Sequence, residues 1–329
     1  MKVLITGGTG FSGSRLAEHL LAKGFEITIL DNQKGLFYSS LAQKTKIILA
    51  SVTDREAVRE SLDGVEGVFH LAAAFRKINV PNKVYWDVNV EGTRILCEES
   101  LKHPLKKFVY CSTQGVHGDI HNPPGDENSP VLPVDYYQYT KFEGEKVVKI
   151  FSEKGLPSVI LRPMGIYGPG DPARFLMLFR QVQKGFFPMF GSGNVFFHPL
   201  YVDNLNDSFV NAFESDKIHA EEYLIGDEQY LTIKELVKKV GESMGIQVKI
   251  IHLPFLPVYL TACLCEFACM PFRIPPPIFR RRVDWYRQNR AFKIDKAKNE
   301  LHYQPKINLE EGLKRTAQWY KENGFIKSF

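Results

Sequence analysis

Cysteine is scarce in this 329-residue chain. Cys97, Cys111, Cys263, Cys265 and Cys269 are odd in number and contain no CxxC pair, which excludes a disulfide-built scaffold and suits a reducing, cytoplasmic compartment. The cluster at 263, 265 and 269 has no partnering histidine. It reads as small apolar residues on a buried helix, and no metal is expected. An uninterrupted hydrophobic run is also missing. The one membrane-like stretch, 253–272, is broken by Pro254, Pro257, Glu266 and Pro271, which argues against a spanning helix. It suits a helix resting on a bilayer surface, as a peripheral contact, or lining an apolar pocket. MKVLIT is expected to enter the fold directly, with no signal peptide before it.

An excess of charge of either sign is nearly absent too. Lys and Arg number 42 against 37 acids, a formal +5 that is slight for this length, and the basic residues are spread along the chain, which does not suggest a nucleic-acid binder. The local exception is Arg280-Arg281-Arg282 with Arg287, Arg290 and Lys293. It reads as a solvated helix face in preference to a phosphate or membrane contact. There is no internal repeat and no low-complexity tract. Hydrophobic content of 44% and charged content of 24% are those of an ordinary globular protein.

What is present is alternation. Apolar strand-like runs at 2–5, 26–30, 46–50, 67–71, 107–111 and 158–161 are separated by helical patterns at 12–23, 54–62, 83–101 and 136–154. This predicts an α/β fold, a Rossmann-type doubly wound parallel sheet. After Pro163 the texture changes, with breakers at Gly168-Pro169-Gly170, Gly191-Ser192-Gly193 and Pro275-Pro276-Pro277. The expected division is a nucleotide-binding domain over 1–170, to which 200–227 returns as a helix and strand. A smaller, interleaved C-terminal substrate domain would be built from 171–199 and 228–329.

The first strand runs into Thr6-Gly7-Gly8-Thr9-Gly10-Phe11-Ser12-Gly13 and then a helix. Gly7 permits a tight turn, Gly10 lets the backbone approach a pyrophosphate, and Gly13 allows close helix–strand packing. A glycine triplet alone is a weak signal, but its strand–turn–helix context makes this one strong. The second strand ends at Asp31-Asn32, where a carboxylate accepts from the adenosine ribose diol. That favours NAD over NADP, with Lys34 nearby to accommodate the latter.

In the helical pattern 136–154, Tyr137 and Lys141 are four residues apart and share a face. A free phenol titrates near ~10, and a neighbouring ammonium stabilises the phenolate. Ser112 and Thr113 follow the strand at 107–111, on the sheet edge where ligands bind, and their hydroxyls can hold a substrate oxygen.

Together these segments resemble the extended short-chain dehydrogenase/reductase family, which includes nucleotide-sugar epimerases and dehydratases and 3β-hydroxysteroid dehydrogenases. TGGTGFSG resembles its TGxxGxxG loop, and VFHLAAA at 68–74 the strand beside the cofactor. Asn89-Val90-Glu91-Gly92-Thr93 resembles NVxGT, CSTQGVHG at 111–118 resembles SSxxVYG, YQYTK resembles YxxxK, and LRPMGIYGPGD at 161–171 resembles LRPxxxYGPG. The resemblance implies that Tyr137 is the acid/base, Lys141 its helper and Thr113 the active-site hydroxyl. It implies that Leu71, Ala72, Ala73, Asn89 and Pro163 lie at the cofactor. It also implies a homodimer through 83–101 and 136–154. One departure is Ser51-Val52, where the family often has an acidic residue before an apolar one, so the adenine contact differs; Asp54 reads as a helix cap.

For the small-molecule substrate, the candidate residues are Phe75, Thr113, Gln114, Phe197, His198 and Arg290. Nucleotide-sugar epimerases usually carry a diphosphate-binding arginine at about Phe197. The wording HPLYVDNL resembles instead the 3β-hydroxysteroid and sterol dehydrogenase branch. An apolar secondary alcohol, steroid-like or hydroxyacyl, is the leading expectation. A nucleotide-sugar epimerase or dehydratase with an arginine clamp from Arg290 or Arg280–Arg282 is the alternative. A non-catalytic NAD-binding regulator is the third reading.

Overall fold

A computed structural model describes residues 1–75, 80–172, 174–216, 219–272, 274, 276–278 and 280–327. Pro275 of the proline breaker lies outside them, as do the side chains of Arg281 and Arg282. Seven parallel strands among these residues form one sheet in the order 222–225, 158–163, 107–111, 67–70, 2–6, 26–31, 46–49. The central strand Lys2–Thr6 is buried at Val3, Leu4, Ile5 and Thr6, because helices cover both faces and a parallel strand there needs apolar residues throughout. Ile5 lies between Ile29 and Phe69 in register. Chain direction across the sheet reverses between Lys2–Thr6 and Gly67–His70, a switch point that opens a crevice at the carboxyl ends.

The predicted strands are all found, within two residues at either end. Asp54 caps the helix Arg55–Ser61, its carboxylate accepting from Glu56 N at 3.1 Å and Ala57 N at 3.3 Å. The single helix expected at 83–101 is instead Asn82–Trp86, a π-helical turn Asp87–Glu91, and Gly92–Ser100. Wide turns of this kind often mark functional positions. This one has Asn89 turned inward and Gly92 against Val52, where a Cβ would come within 2.6 Å of the valine.

The helix Val202–Glu214 leads back to the strand Glu222–Ile225, which pairs with Ser158–Pro163. Short pairs not read from the sequence build the other half: Gly165–Tyr167 with Pro199–Tyr201, Phe186–Phe190 with Lys249–Leu253, and Phe196–Phe197 with Leu231–Thr232. A separate apolar cluster including Phe175, Phe179, Phe197, Leu236, Leu313 and Tyr320 sits beneath them. The helix Phe255–Cys269 corrects one expectation. It is not buried: of its residues only Ala262 is, so Cys263, Cys265 and Cys269 are half-exposed thiols on a surface helix.

Candidate active site

The crevice is bordered by the glycine loop. Gly7 adopts φ +70°, and a Cβ on it would come within 2.8 Å of Ala72 N. Only glycine lets the first loop pass this close to Leu71-Ala72-Ala73. A Cβ on Gly13 would collide with Gly7 O at 2.2 Å, whereas one on Gly10 would meet only that oxygen, at 3.3 Å. Gly13 is therefore fixed by packing, and Gly10 faces open space. Phe11 and Ser12 begin the helix Phe11–Ala22, whose first turn has no side-chain cap. Its free amides and positive dipole end suit a pyrophosphate.

Asp31 braces this loop. One carboxylate oxygen accepts from Thr9 N at 2.9 Å and Thr9 Oγ1 at 2.8 Å, and the other from Gln33 N at 3.3 Å. Asn32 beside it is exposed. Ser51 closes a turn, accepting from Thr53 N, and Val52 is buried against Gly92. Asn89 Oδ1 accepts from Ala74 N at 2.8 Å and its Nδ2 donates to Ala74 O and to Thr140 Oγ1. Asn89 thus ties the loop after the fourth strand to the helix Tyr136–Glu153. Its role is positioning, since its side-chain oxygen and nitrogen are both engaged within the protein.

That helix starts where Asp135 accepts from Gln138 N at 2.8 Å, which puts Tyr137 in its first turn and Lys141 one turn on. Phe75 packs edge-on against Tyr137 with ring centroids 4.9 Å apart. Lys141 is buried, and its ammonium lies 4.0 Å from the centroid of the Tyr110 ring. Burial lowers its pKa to about 8 against the opposing pull of Cys111 and Glu145. Its Nζ has no hydrogen-bond partner among the described residues. A buried amine left so at the crevice fits the hydroxyls of a nicotinamide ribose, and with the open face of Gly10 it makes the site fit NAD.

Ser112 and Thr113 separate into two roles. Ser112 is buried and donates to Glu145 in a very short hydrogen bond. Thr113 Oγ1 accepts from Gly115 N at 3.1 Å, which leaves its own O–H able to donate. Beside it Gln114 is buried, and its Oε1 has no hydrogen-bond partner among the described residues. Sequence reasoning missed what holds this edge. Glu145 receives Arg162 Nε at 3.0 Å and Nη2 at 2.7 Å, and Arg162 Nη1 meets His117 Nε2 at 3.1 Å. His117 in turn reaches Ser129 O at 3.0 Å, and its pKa is lowered by burial and by Arg162. An arginine inside an otherwise apolar strand at 158–163 was the available signal, because a buried guanidinium requires a buried acid. Pro163 ends that strand, buried and paired with Ile225.

Two substrate expectations are corrected. Phe197 is 2% exposed, packed among Phe175 and Trp285, and belongs to the second core. His198 is buried, with Nε2 2.7 Å from Asp227 O and Nδ1 accepting from Phe292 N at 3.4 Å. Burial lowers its pKa to about 4, so it is a neutral structural histidine. Arg290 is bound by its backbone next to Phe197, donating its amide to Phe196 O at 2.9 Å, while its side chain donates to Gln288. Neighbouring Asn289 laces the segment together. It receives Phe196 N, donates to Asp119, and its carbonyl accepts from Ile120 N.

A sheet switch point, a glycine cradle at a helix N-terminus, and a buried lysine one turn from a tyrosine are now in place. The family model described as the NAD dependent epimerase/dehydratase family matches residues 3–226. The chain belongs to that family. It is an NAD-dependent enzyme with the fold of the extended short-chain dehydrogenases. It is 32% identical over 257 residues to an N-acetyl-α-D-glucosaminyl-diphospho-ditrans,octacis-undecaprenol 4-epimerase of Escherichia coli O157:H7, covering 77% of this chain and 75% of that one. It is 28% identical to a 3-beta-hydroxysteroid dehydrogenase of Mycolicibacterium neoaurum, covering 98% and 92%. Among solved structures it resembles UDP-glucose 4-epimerase of Thermotoga maritima with UDP-glucose, at TM-score 0.80 and 26% identity over 98% and 99% of the two chains.

Proposed function

We propose that this member of the family interconverts a secondary alcohol and a ketone on a largely apolar substrate, steroid-like or hydroxyacyl. Thr113 donates to the reacting oxygen, Tyr137 takes the hydroxyl proton, and Lys141 holds positive charge beside the tyrosine while binding ribose hydroxyls. Bound NAD would supply the hydride acceptor. Ser112, Glu145 and Arg162 keep the sheet edge under Thr113 rigid. The observation that carries the apolar substrate is Phe75, whose ring is 48% exposed while packed against Tyr137. A large apolar surface at the reacting phenol fits a hydrocarbon better than a hydrated sugar. The proposal includes a cytoplasmic location and a homodimer through the helices Gly92–Ser100 and Tyr136–Glu153.

One observation favours a second reading, a sugar-diphosphate 4-epimerase or dehydratase that returns the hydride. The guanidinium of Arg174 lies 5.8 Å from the Phe197 ring and 6.0 Å from the Trp285 ring, and Arg290 is the backbone neighbour of Phe197. Two arginines there can replace the usual clamp. Calorimetric titration of UDP and other nucleoside diphosphates into the NAD-saturated enzyme separates the readings. No binding is expected. Micromolar binding would replace the apolar substrate by a nucleotide sugar.

A further inference from the structure

The helix Phe255–Cys269 divides into two faces of opposite kind. Phe255, Tyr259, Ala262 and Glu266 follow helical spacing and face the protein. Arg287 stacks on the Phe255 ring at 5.3 Å and the Tyr259 ring at 5.1 Å, Ala262 is buried, and Glu266 accepts from Arg280 Nε at 2.7 Å. Leu256, Leu260, Leu264 and Phe267 follow the same spacing on the other side and are 63%, 54%, 70% and 75% exposed. A stripe of large apolar side chains left in water is a binding surface.

Charge identifies what covers it. Residues 253–293 hold seven Lys or Arg and two acids, which leaves 35 of each sign in the rest of the chain. The whole net charge of +5 therefore resides in this one segment. Both of its acids are already used: Glu266 pairs with Arg280, and Asp284 with Arg287 at 2.8 Å. An apolar stripe in a segment whose sequence holds surplus arginine is the chemistry of an anionic lipid surface. At ~1.5 Å rise per residue, fifteen residues are too short to cross a bilayer, and no described helix is long and apolar enough to do so.

We propose that the enzyme docks peripherally on an anionic membrane, with the Leu256–Leu260–Leu264–Phe267 stripe lying in the headgroup region. The helix is mounted on the side of the molecule that carries Phe197. Tyr286 packs on Phe190 at 4.8 Å, and Trp285 on Phe197 at 5.7 Å. The inference stands whichever substrate reading holds, because its test measures no turnover.

The experiment is flotation of the full, NAD-saturated protein with vesicles of phosphatidylcholine alone and of phosphatidylcholine with phosphatidylglycerol. It is repeated with the Leu256→Ser, Leu260→Ser, Leu264→Ser triple variant, with NAD affinity as the folding check and light scattering for mass. The expected result is flotation on the anionic vesicles, weakened by salt and at least about tenfold weaker in the variant. Equal flotation of the two proteins, or none on anionic vesicles, overturns it. A variant that halves the particle mass without any vesicle binding assigns the stripe to a second copy and also overturns it.

Discussion

The Lys141 ammonium and the Tyr110 ring face each other at 4.0 Å in a site closed to solvent. The ring offers its negative face to a cation that burial has stripped of water, and nothing else among the described residues bonds to that nitrogen. Lys141 is thus held ready for a ligand at a cost to the empty protein.

That cost has a pH signature. The folded pKa is about 8, below that of a lysine in an unfolded chain. Between the two values the unfolded state binds more protons, so this group makes stability rise as pH climbs from about 8 toward ~10.4. Lys141→Met removes the effect. In urea unfolding the variant should be more stable than the parent by up to about 3 kcal/mol at pH 7, with the difference shrinking at alkaline pH. Parallel stability curves would show that the ammonium is not strained.

Gly10 and Gly13 should respond differently to the same methyl group. Gly10→Ala leaves the fold nearly intact, within about 1 kcal/mol, because its Cβ meets only Gly7 O at 3.3 Å. It should nevertheless weaken NAD binding at least about tenfold by occupying the space a pyrophosphate needs. Gly13→Ala drives a Cβ into Gly7 O at 2.2 Å and should lower thermal stability as well. Calorimetry with NAD and thermal melts of both variants check this.

Glu145→Gln takes from the buried Arg162 guanidinium its hydrogen-bonded counter-charge and leaves only the Glu222 carboxylate, 3.7 Å away. The expected loss is about 3–5 kcal/mol in urea unfolding, with turnover reduced through Ser112 and Thr113. Replacing both, with Glu145→Leu and Arg162→Met, should recover part of the loss, since the pair costs desolvation when present. A double variant as unstable as the sum of the singles would contradict this.

The sheet was legible because its central strands are continuous apolar runs, and the cradle because glycine at 7, 10 and 13 has few other uses in that context. Spacing put Tyr137 and Lys141 on one face of a helix, and Thr113 was singled out by the resemblance of CSTQGVHG to SSxxVYG. The network behind them did not: Ser112, His117, Glu145 and Arg162 are brought together by the fold from separate segments, and no local pattern links them. Phe197 and His198 misled for a related reason. A short aromatic–polar run beside a site looks the same in sequence whether it lines a pocket or, as here, fills a core. The apolar sequence at 255–269 suits a buried helix, a pocket wall or a surface helix alike; its exposure follows from tertiary placement.

The proton step at Tyr137 is the centre of this account, and one comparison tests it most directly. Reduction of NAD by a panel of apolar secondary alcohols, sterols and hydroxyacyl compounds included, is followed by absorbance for the parent and for Tyr137→Phe, with NAD affinity measured alongside. The account predicts turnover by the parent and a loss of at least about 100-fold in Tyr137→Phe, at unchanged NAD affinity. Full turnover by Tyr137→Phe would contradict it.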